Sequence, residues 1–555
     1  VLDVRAIGGL HVVTLAWDFA EGQAPKLDGL MGFAIERAEL RKGEVFERYY
    51  LRGIKRFKDV DLGLPPGTPV STAEHPVQSF QWGDYTAKPR SSYEYKVVPV
   101  YGKPKCLRLD EASATTVAIS TEAEEDARED GRAGHQVYFN RGAAGSQAYA
   151  RRFPDPKPDP DDPESEQMKW LSRGLFEGLL GFIGRASGAD APRCKLRAML
   201  YEFSYLPVGK AFAAARRAGA DVDIRYEAQS YRKDNEEMIA AAKIKGICAP
   251  QRSRAGIRHN KFIVLVKDDR PVAVWTGSTN ISAGGIFGHS NVGHAVWDEA
   301  VAGRFLDYWE RLAAEDAKRA DLAAANLEVE PTAGLPPPDD RILTFFSPRD
   351  GEESLETLQW YADLMGSAQR ILCMTFAFSL DPRFAKVLER PGGALKYAAF
   401  DKDIADDVET RIDAAGNSII AVGAKFGKDD LENFRAEVLT GFNRNRYIHD
   451  KFMLVDPLSD DPIVVTGTAN FSPASQSAND ENMLVIRGDR RVADIYFGEF
   501  MRIFDHLYAR YLVKKLKAEK REDPEAGYLK VESKDWAPAH FREGRKKLRR
   551  VYFMG

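Results

Sequence analysis

Apolar and polar positions alternate with the period of half-buried strands across residues 1–121. Over residues 11–19, Val13, Leu15, Trp17 and Phe19 share one face; Phe33 and Ile35 continue the pattern in a second segment. Tyr93, Tyr95 and Val97 mark another strand and residues 116–121 a last one, with turns such as Leu64-Pro65-Pro66-Gly67 between them. This predicts an all-β module, and no group of residues within it points to catalysis. An acidic stretch over 122–134 then reads as a solvated linker, which predicts that the module folds independently and that deleting it leaves the remainder active. A Pro/Asp-rich run over 154–163 reads as an extended surface loop. Beyond it, apolar strands at 196–203 and 221–226 alternate with helical periodicity such as 208–218, and this α/β texture continues to about residue 512. Residues 313–338, rich in Ala, charge and then Pro, form the predicted break within it.

Composition narrows the class. The 555 residues are long enough for three or four domains, and 44% hydrophobic with 29% charged residues is ordinary for a globular protein. Lys and Arg number 79 against 83 Asp and Glu, a net charge of −4, so the chain is no polycation built to coat nucleic acid. Near the apolar segment at 168–183 the longest uncharged stretch is only Gly178 to Gly184, too short to span a bilayer. That segment carries Met168, Trp170, Leu171, Leu175, Phe176, Leu179, Leu180, Phe182 and Ile183 at helical spacing and predicts a core helix, with a lipid-docking helix as the alternative. Cys106, Cys194, Cys248 and Cys373 lie far apart and form no zinc or disulfide framework. No signal-peptide pattern follows Val1, which leaves cytoplasmic and secreted locations both open.

Comparison of the two α/β halves exposes an internal repeat. The first half holds Arg258-His259-Asn260-Lys261 at the head of an apolar run and then Gly277-Ser278-Thr279-Asn280. The second holds Ile448-His449-Asp450-Lys451 and then Gly467-Thr468-Ala469-Asn470. His and Gly are 18 positions apart in both copies (259 to 277, 449 to 467), and His and Asn are 21 apart in both (259 to 280, 449 to 470). Upstream, Met199 to Ser204 echoes Met374 to Ser379. His and Lys two apart on a strand project from one face. The Gly-[Ser/Thr]-x-Asn segment after the next strand adds a hydroxyl and an amide. Two such sets facing each other suit phosphodiester cleavage, in which one imidazole attacks phosphorus and the other protonates the leaving oxygen.

These duplicated motifs resemble the phospholipase D superfamily, and the early Trp17 with the Tyr93-x-Tyr95 strand resembles a fibronectin type III or immunoglobulin-like sandwich. The resemblance implies a multidomain fold: an N-terminal β-sandwich followed by two pseudo-symmetric α/β phospholipase D-like halves. The expected boundaries are 1–121 for the sandwich, 122–134 for the linker and 135–320 for half 1. A second linker at 321–340, half 2 at 341–512 and a basic tail at 513–555 complete the chain. The resemblance further implies one active site between the halves, a phosphohistidine intermediate, and no cofactor or metal. Carried over residue by residue, it assigns His259, Lys261, Asn280, His449, Lys451, Asn470 and Glu481 to catalysis. Ser278, Thr468, Asp456 and Asn291 are assigned to phosphate binding or support. The first copy departs from the family pattern at Val266, where Asp456 stands in the second, and at Asn291, where Glu481 stands.

Spacing within each half pairs Glu481 with His449 and Asn291 with His259. On that pairing the carboxylate makes His449 the general acid, and the amide leaves His259 neutral as the nucleophile. Tyrosyl-DNA phosphodiesterases, a branch of the superfamily, show a similar division between an amide and a carboxylate partner. His289 and His294, in the glycine-rich stretch after the first motif, read as loop residues or as part of the pocket wall. The tail from 514 to 550 carries 13 Lys or Arg against seven Asp or Glu and reads as a solvated helix face or a contact for anionic lipid or nucleic acid. The expected function is a phosphodiesterase whose leading substrate is a phospholipid, hydrolysed or transferred to an alcohol, with peripheral membrane contact left open. A nucleic-acid phosphodiesterase is the alternative, and a phosphate-binding adaptor without turnover the second.

Overall fold

A computed structural model describes the chain except residues 61–62, 125–133, 143–145, 154–156, 252–255, 315–317, 330–333, 427–429, 432–433, 438–446 and 522–526. Most of the acidic linker and the start of the Pro/Asp-rich run lie outside the described residues.

The alternating N-terminal positions build two antiparallel sheets. Strands Leu2–Gly8, Val13–Phe19 and Gln81–Asp84 form one. Strands Thr115–Ser120, Ser92–Lys103, Leu30–Arg41 and Glu44–Tyr50 form the other, with Cys106–Leu109 paired to Ser92–Lys103. Val13, Leu15 and Trp17 from the first sheet meet Phe33, Ile35, Tyr93, Tyr95 and Val97 from the second in one core. Burying these side chains drives the packing of the sheets.

This core is not confined to its own sequence. Trp536 and Ala537, from the far end of the chain, complete it, and the Trp536 indole donates to the Leu30 carbonyl at 3.2 Å. Ile7, Leu10 and Ala16 join a different core, shared with Tyr496, Phe497 and Phe500 of the helix Arg490–Ala518. The module is therefore stapled to the α/β body on two sides, contrary to the independence expected of it. The tail's positive charge is likewise spent internally. Arg550 pairs with Asp18, Arg545 lies 3.5 Å from Asp413, and Arg549 lies 3.6 Å from Asp505. The helix Arg545–Met554 is a clamp across the molecule rather than a free basic face.

Two seven-stranded sheets make up the rest. The first runs in the order Gly134–Phe139, Val292–Trp297, Arg270–Gly277, Lys261–Lys267, Cys194–Leu200, Asp221–Tyr226 and Cys248–Pro250. The second runs Leu343–Ser347, Glu481–Arg487, Ile463–Gly467, Phe452–Val455, Ile371–Phe376, Leu395–Phe400 and Ser418–Val422. In chain order the two sequences of strands trace the same path, with the same parallel and antiparallel pairings. The register corrects the upstream alignment by one residue: Ile263 faces Ala198, and its counterpart Met453 faces Met374. Ala198, not Met199, thus matches Met374. Pairing reads the face a side chain occupies, which the recurrence of Met does not.

The apolar segment at 168–183 forms the helices Glu166–Ser172 and Leu175–Gly184. Its Met168, Leu171, Leu175, Phe176, Leu179, Phe182 and Ile183 are buried in the first half's core, so it is no lipid-docking face. The stretch expected as a linker holds the helix Arg319–Val329, with Leu322 in the shared core and Ala323 also buried; alanine-rich sequence favours helix where a partner surface is at hand. The four cysteines are free, and among the described residues no helix is long and apolar enough to cross a membrane.

Candidate functional site

The two sheets meet where their motifs begin. Each His-x-Lys segment straddles the start of its strand: the strands open at Lys261 and Phe452, and the histidines lie just ahead of them. The lysines fold back so that Nζ of Lys261 donates to the carbonyl of His259, and Nζ of Lys451 to that of His449. The histidine backbones are fixed by the opposite half. His259 N donates to Asp480 O at 3.1 Å, and His449 N to Ser290 O at 3.1 Å.

This crossover exchanges the side-chain partners as well. His259 Nδ1 donates to Glu481 Oε2 at 2.8 Å, and His449 Nδ1 bonds Asn291 Oδ1 at 3.0 Å. The pairing expected within each half is thus reversed. Asp480 and Ser290 carry the next residue, Glu481 or Asn291, across the boundary to the other half's imidazole.

The neighbouring groups fix which atoms donate. Asn291 Nδ2 donates to Gly285 O at 2.7 Å and the Ser278 hydroxyl donates to Asn291 Oδ1 at 2.8 Å. Oδ1 is therefore the acceptor toward His449, whose Nδ1 carries the proton and whose Nε2 is left for chemistry. In the other half-site, Asn479 Nδ2 donates to Glu481 Oε1 at 3.2 Å, and the Thr468 hydroxyl also hydrogen-bonds Glu481. Ser278 and Thr468 additionally accept from the backbone of Val292 (3.1 Å) and Asn482 (2.9 Å). Both hydroxyls hold the histidines' partners in place, a support role. The preceding glycines permit this: a Cβ on Gly277 would strike the Val292 carbonyl, and one on Gly467 the Asn482 carbonyl.

Asp456 stands apart. It accepts from the backbone N–H groups of Gln369, Arg370 and Ile371 at 2.8, 2.7 and 2.9 Å, pinning the loop before the strand Ile371–Phe376. Its hydrogen bonds serve the fold, the support side of the role expected for it. Where Val266 replaces it in the first half, Asp268 instead pairs with Arg193 on the surface at 2.6 Å.

A cavity of about 890 Å³ opens over both imidazoles. Its lining includes His259, His449, Asn280, His289, Tyr201, Tyr231 and Phe378, the charged Asp161, Glu202, Asp234, Glu237 and Lys210, and apolar residues such as Leu206 and Met238. Lys261 Nζ lies 4.9 Å from the Tyr201 ring centre and Lys451 Nζ 6.0 Å from that of Phe378. Asn280 and Asn470 each have a buried Oδ1 with no hydrogen-bond partner. Sequence reasoning missed Tyr201, Tyr231 and Phe378, whose aromatic character alone distinguishes nothing from core.

Burial governs the protonation of the site. It lowers His259 to about 4 despite the opposing pull of Glu481, and lowers Lys261 to about 7. His449, without a carboxylate beside it, is held well below the usual imidazole range by burial and then by Lys451. Glu481 stays below the usual carboxylate range because His259 and Lys261 outweigh its own burial. Both imidazoles therefore enter neutral, and an arriving phosphodiester anion favours the proton that an acid must carry. Two oriented imidazoles and the Asn280 amide on one cavity, with Lys261 and Lys451 against its aromatic wall, can attack, protonate and stabilise a phosphoryl group; Asn470 is not among the residues that line it. Among the described residues no group of three or more His, Cys, Asp or Glu is placed to hold a metal ion.

Residues 422–506 match the family described as cardiolipin synthase, PLD-like domain, a span that contains the whole second motif. No curated protein matches the chain. Among solved structures it is similar to Nuc from Salmonella typhimurium, a phospholipase D family member, at 22% identity over 33% of this chain and 94% of that one, with a TM-score of 0.22. It is similar to phosphatidylserine synthase from Haemophilus influenzae Rd KW20 at 13% identity over 63% and 92%, with a TM-score of 0.41. Yeast tyrosyl-DNA phosphodiesterase follows at 10% identity over 54% and 83%, with a TM-score of 0.31. Scores this low carry no argument about the arrangement of the whole chain. By sequence, the segment 422–506 is PLD-like.

Proposed function

We propose that the chain is a phospholipase D-like phosphodiesterase whose two α/β halves, 135–320 and 341–512, are copies that share one active site, with a fibronectin type III-like sandwich at 1–121. The observation that carries this reading is the exchange of partners over a single cavity, His259 with Glu481 and His449 with Asn291. His259 Nε2 attacks phosphorus, and the bond to the leaving oxygen breaks as His449 gives that oxygen a proton. The ring of His259 becomes cationic when phosphorylated, and the Glu481 carboxylate stabilises that charge. Water or an alcohol then attacks phosphorus, His449 takes its proton, and the phosphorus–nitrogen bond breaks to restore His259. Lys261, Lys451 and Asn280 hold the non-bridging oxygens. The nucleophile is the one expected from the sequence, for a different reason: its partner is the carboxylate.

The substrate we favour is a phospholipid. Among the described residues the cavity wall presents Asp161, Glu202, Asp234 and Glu237 against Lys210. Such a wall repels the row of phosphates in a nucleic acid and accepts a single phosphodiester with a neutral or cationic alcohol. The match of 422–506 to the cardiolipin synthase, PLD-like domain family supports the same choice. The test compares mixed-micelle phosphatidylcholine and phosphatidylglycerol with plasmid and single-stranded DNA, each with and without EDTA. Turnover of a lipid that survives EDTA is expected. Cleavage of DNA alone would replace the substrate, complete metal dependence would sink the two-histidine mechanism, and turnover of neither would leave a binding protein.

A further inference from the structure

Tyr201 belongs to neither motif; it stands directly after the strand Cys194–Leu200, on the cavity wall. Its ring meets the His259 ring edge-on, with the centroids 4.7 Å apart and the planes at 61°. The Lys261 ammonium lies over the same ring, Nζ being 4.9 Å from its centre. Tyr231, just before the helix Arg232–Ala241, packs edge-on against it at 4.9 Å and 79°. The backbone is fixed by the fully buried Asn235, whose Nδ2 donates to Tyr201 O at 3.0 Å and whose Oδ1 accepts from Phe203 N at 2.7 Å. One anchored ring thus touches two members of the catalytic set.

The other half-site is built differently. By strand register Met374 matches Ala198, so the counterpart of Tyr201 is Ala377, and the ring beside Lys451 is Phe378 at the longer distance of 6.0 Å. The closer ring therefore goes with the imidazole that attacks. Its effect on Lys261 matters because burial brings that lysine down to about 7, against the pull of Glu481 and then Glu202. Neither carboxylate serves Lys261 alone: Glu481 is bonded to His259, and Glu202 accepts from the Ser282 hydroxyl at 2.8 Å. An ammonium so close to neutrality keeps or loses its charge on a modest interaction, and an aromatic face beneath a desolvated cation supplies one. An aliphatic side chain would fill the space and supply none.

We propose that Tyr201 is a positioning residue for the attacking half-site, whose ring holds His259 in its attacking orientation and keeps the buried Lys261 ammonium charged for the phosphate. The role rests on the phosphodiesterase reading above. Glu481 fixes the imidazole at Nδ1, and the Tyr201 ring opposes the tilting that this one hydrogen bond permits.

The test compares Tyr201→Leu, which removes the aromatic face, with Tyr201→Phe, which keeps it, in the full chain. Progressively fluorinated phenylalanines at position 201 keep the ring's shape while weakening its face, and they decide the matter if Tyr201→Leu does not fold. Two readouts are taken: kcat and KM on a nitrophenyl phosphodiester across pH, and the nitrogen NMR titration of the Lys261 amine in the free protein, its signal identified by its absence from Lys261→Arg. Tyr201→Leu should lower the Lys261 midpoint by about one pH unit, the size of a desolvated cation–π contact. The fluorinated series should lower it stepwise, and Tyr201→Phe should leave it in place. At about pH 5, where Lys261 is charged throughout, Tyr201→Leu should lose up to ~10²-fold in kcat with KM little changed, and Tyr201→Phe should restore kcat. A Lys261 midpoint unmoved by Tyr201→Leu and by the fluorinated series would overturn the proposal, as would a fall in kcat as deep in Tyr201→Phe as in Tyr201→Leu. If the parent protein turns over no ester, the phosphodiesterase reading fails and the titration alone decides: a midpoint lowered by loss of the face and kept by Tyr201→Phe upholds the hold on Lys261, and an unmoved one refutes it.

Discussion

Glu481 offers one carboxylate oxygen to His259 and the other to Asn479, so Glu481→Gln keeps the shape of the contact and removes its charge. A ~10²–10³-fold fall in kcat is expected, because the phosphorylated ring loses its counter-charge; stopped-flow kinetics on a nitrophenyl phosphodiester checks it. The pH profile follows from burial. With His259 lowered to about 4 and Lys261 to about 7, kcat/KM should rise as pH climbs through about 4 and fall as it climbs through about 7. Lys261→Arg, charged throughout, should remove the part of the upper limb that Lys261 sets and leave the part set by the His449 proton. Stability has its own sign: the unfolded chain binds protons to His259 below about 6.5, the folded chain only below about 4, so stability falls as pH drops across that window. The motif residues themselves were legible from spacing. The partner exchange was not, because the pairs that meet lie 222 and 158 positions apart, whereas the pairs that do not lie 32 apart (259 to 291, 449 to 481).

Among the elements, the strand Glu481–Arg487 matters most, since it delivers Glu481 to the opposite half while packing against Ile463–Gly467. Its closeness at Gly467 leaves no room for a side chain. Gly467→Ala should cost ~1–3 kcal/mol in urea unfolding and displace Asn482 and Glu481, so activity falls further than stability explains. A loss of stability with unchanged kcat would show that this strand does not set the histidine's partner. Alternation and apolar runs made the strands at 13–19, 93–97 and 221–226 and the apolar run after Lys261, 262–266, readable. The edge strand Glu44–Tyr50, exposed over most of its length, gave no such contrast, and the helix Arg319–Val329 was hidden by composition that also suits a linker.

At the scale of the whole molecule the chain closes on itself. Its C-terminal segment fills the core of the N-terminal sheets through Trp536 and crosses them with Arg550 on Asp18. No local pattern announces this, because Trp536 sits in a charged stretch and its partners are some five hundred residues away, as with Leu30 (|i−j| of 506). Trp536→Ala should destabilise the N-terminal sheets by ~3–5 kcal/mol and open them to limited proteolysis ahead of the α/β body. Removal of 1–121 should likewise yield a poorly folded chain, since Ile7, Leu10 and Ala16 are buried in the core shared with both halves.

The central claim is that both halves build one site in which His259 is phosphorylated and His449 moves the proton. Incubating the His449→Ala protein with a nitrophenyl phosphodiester, whose leaving group needs little protonation, and mapping the adduct by mass spectrometry tests it most directly. Acid-labile phosphate on His259, trapped because no base activates water, is the predicted result. Label on His449 in the His259→Ala protein, and none on His259 in the converse variant, would contradict it.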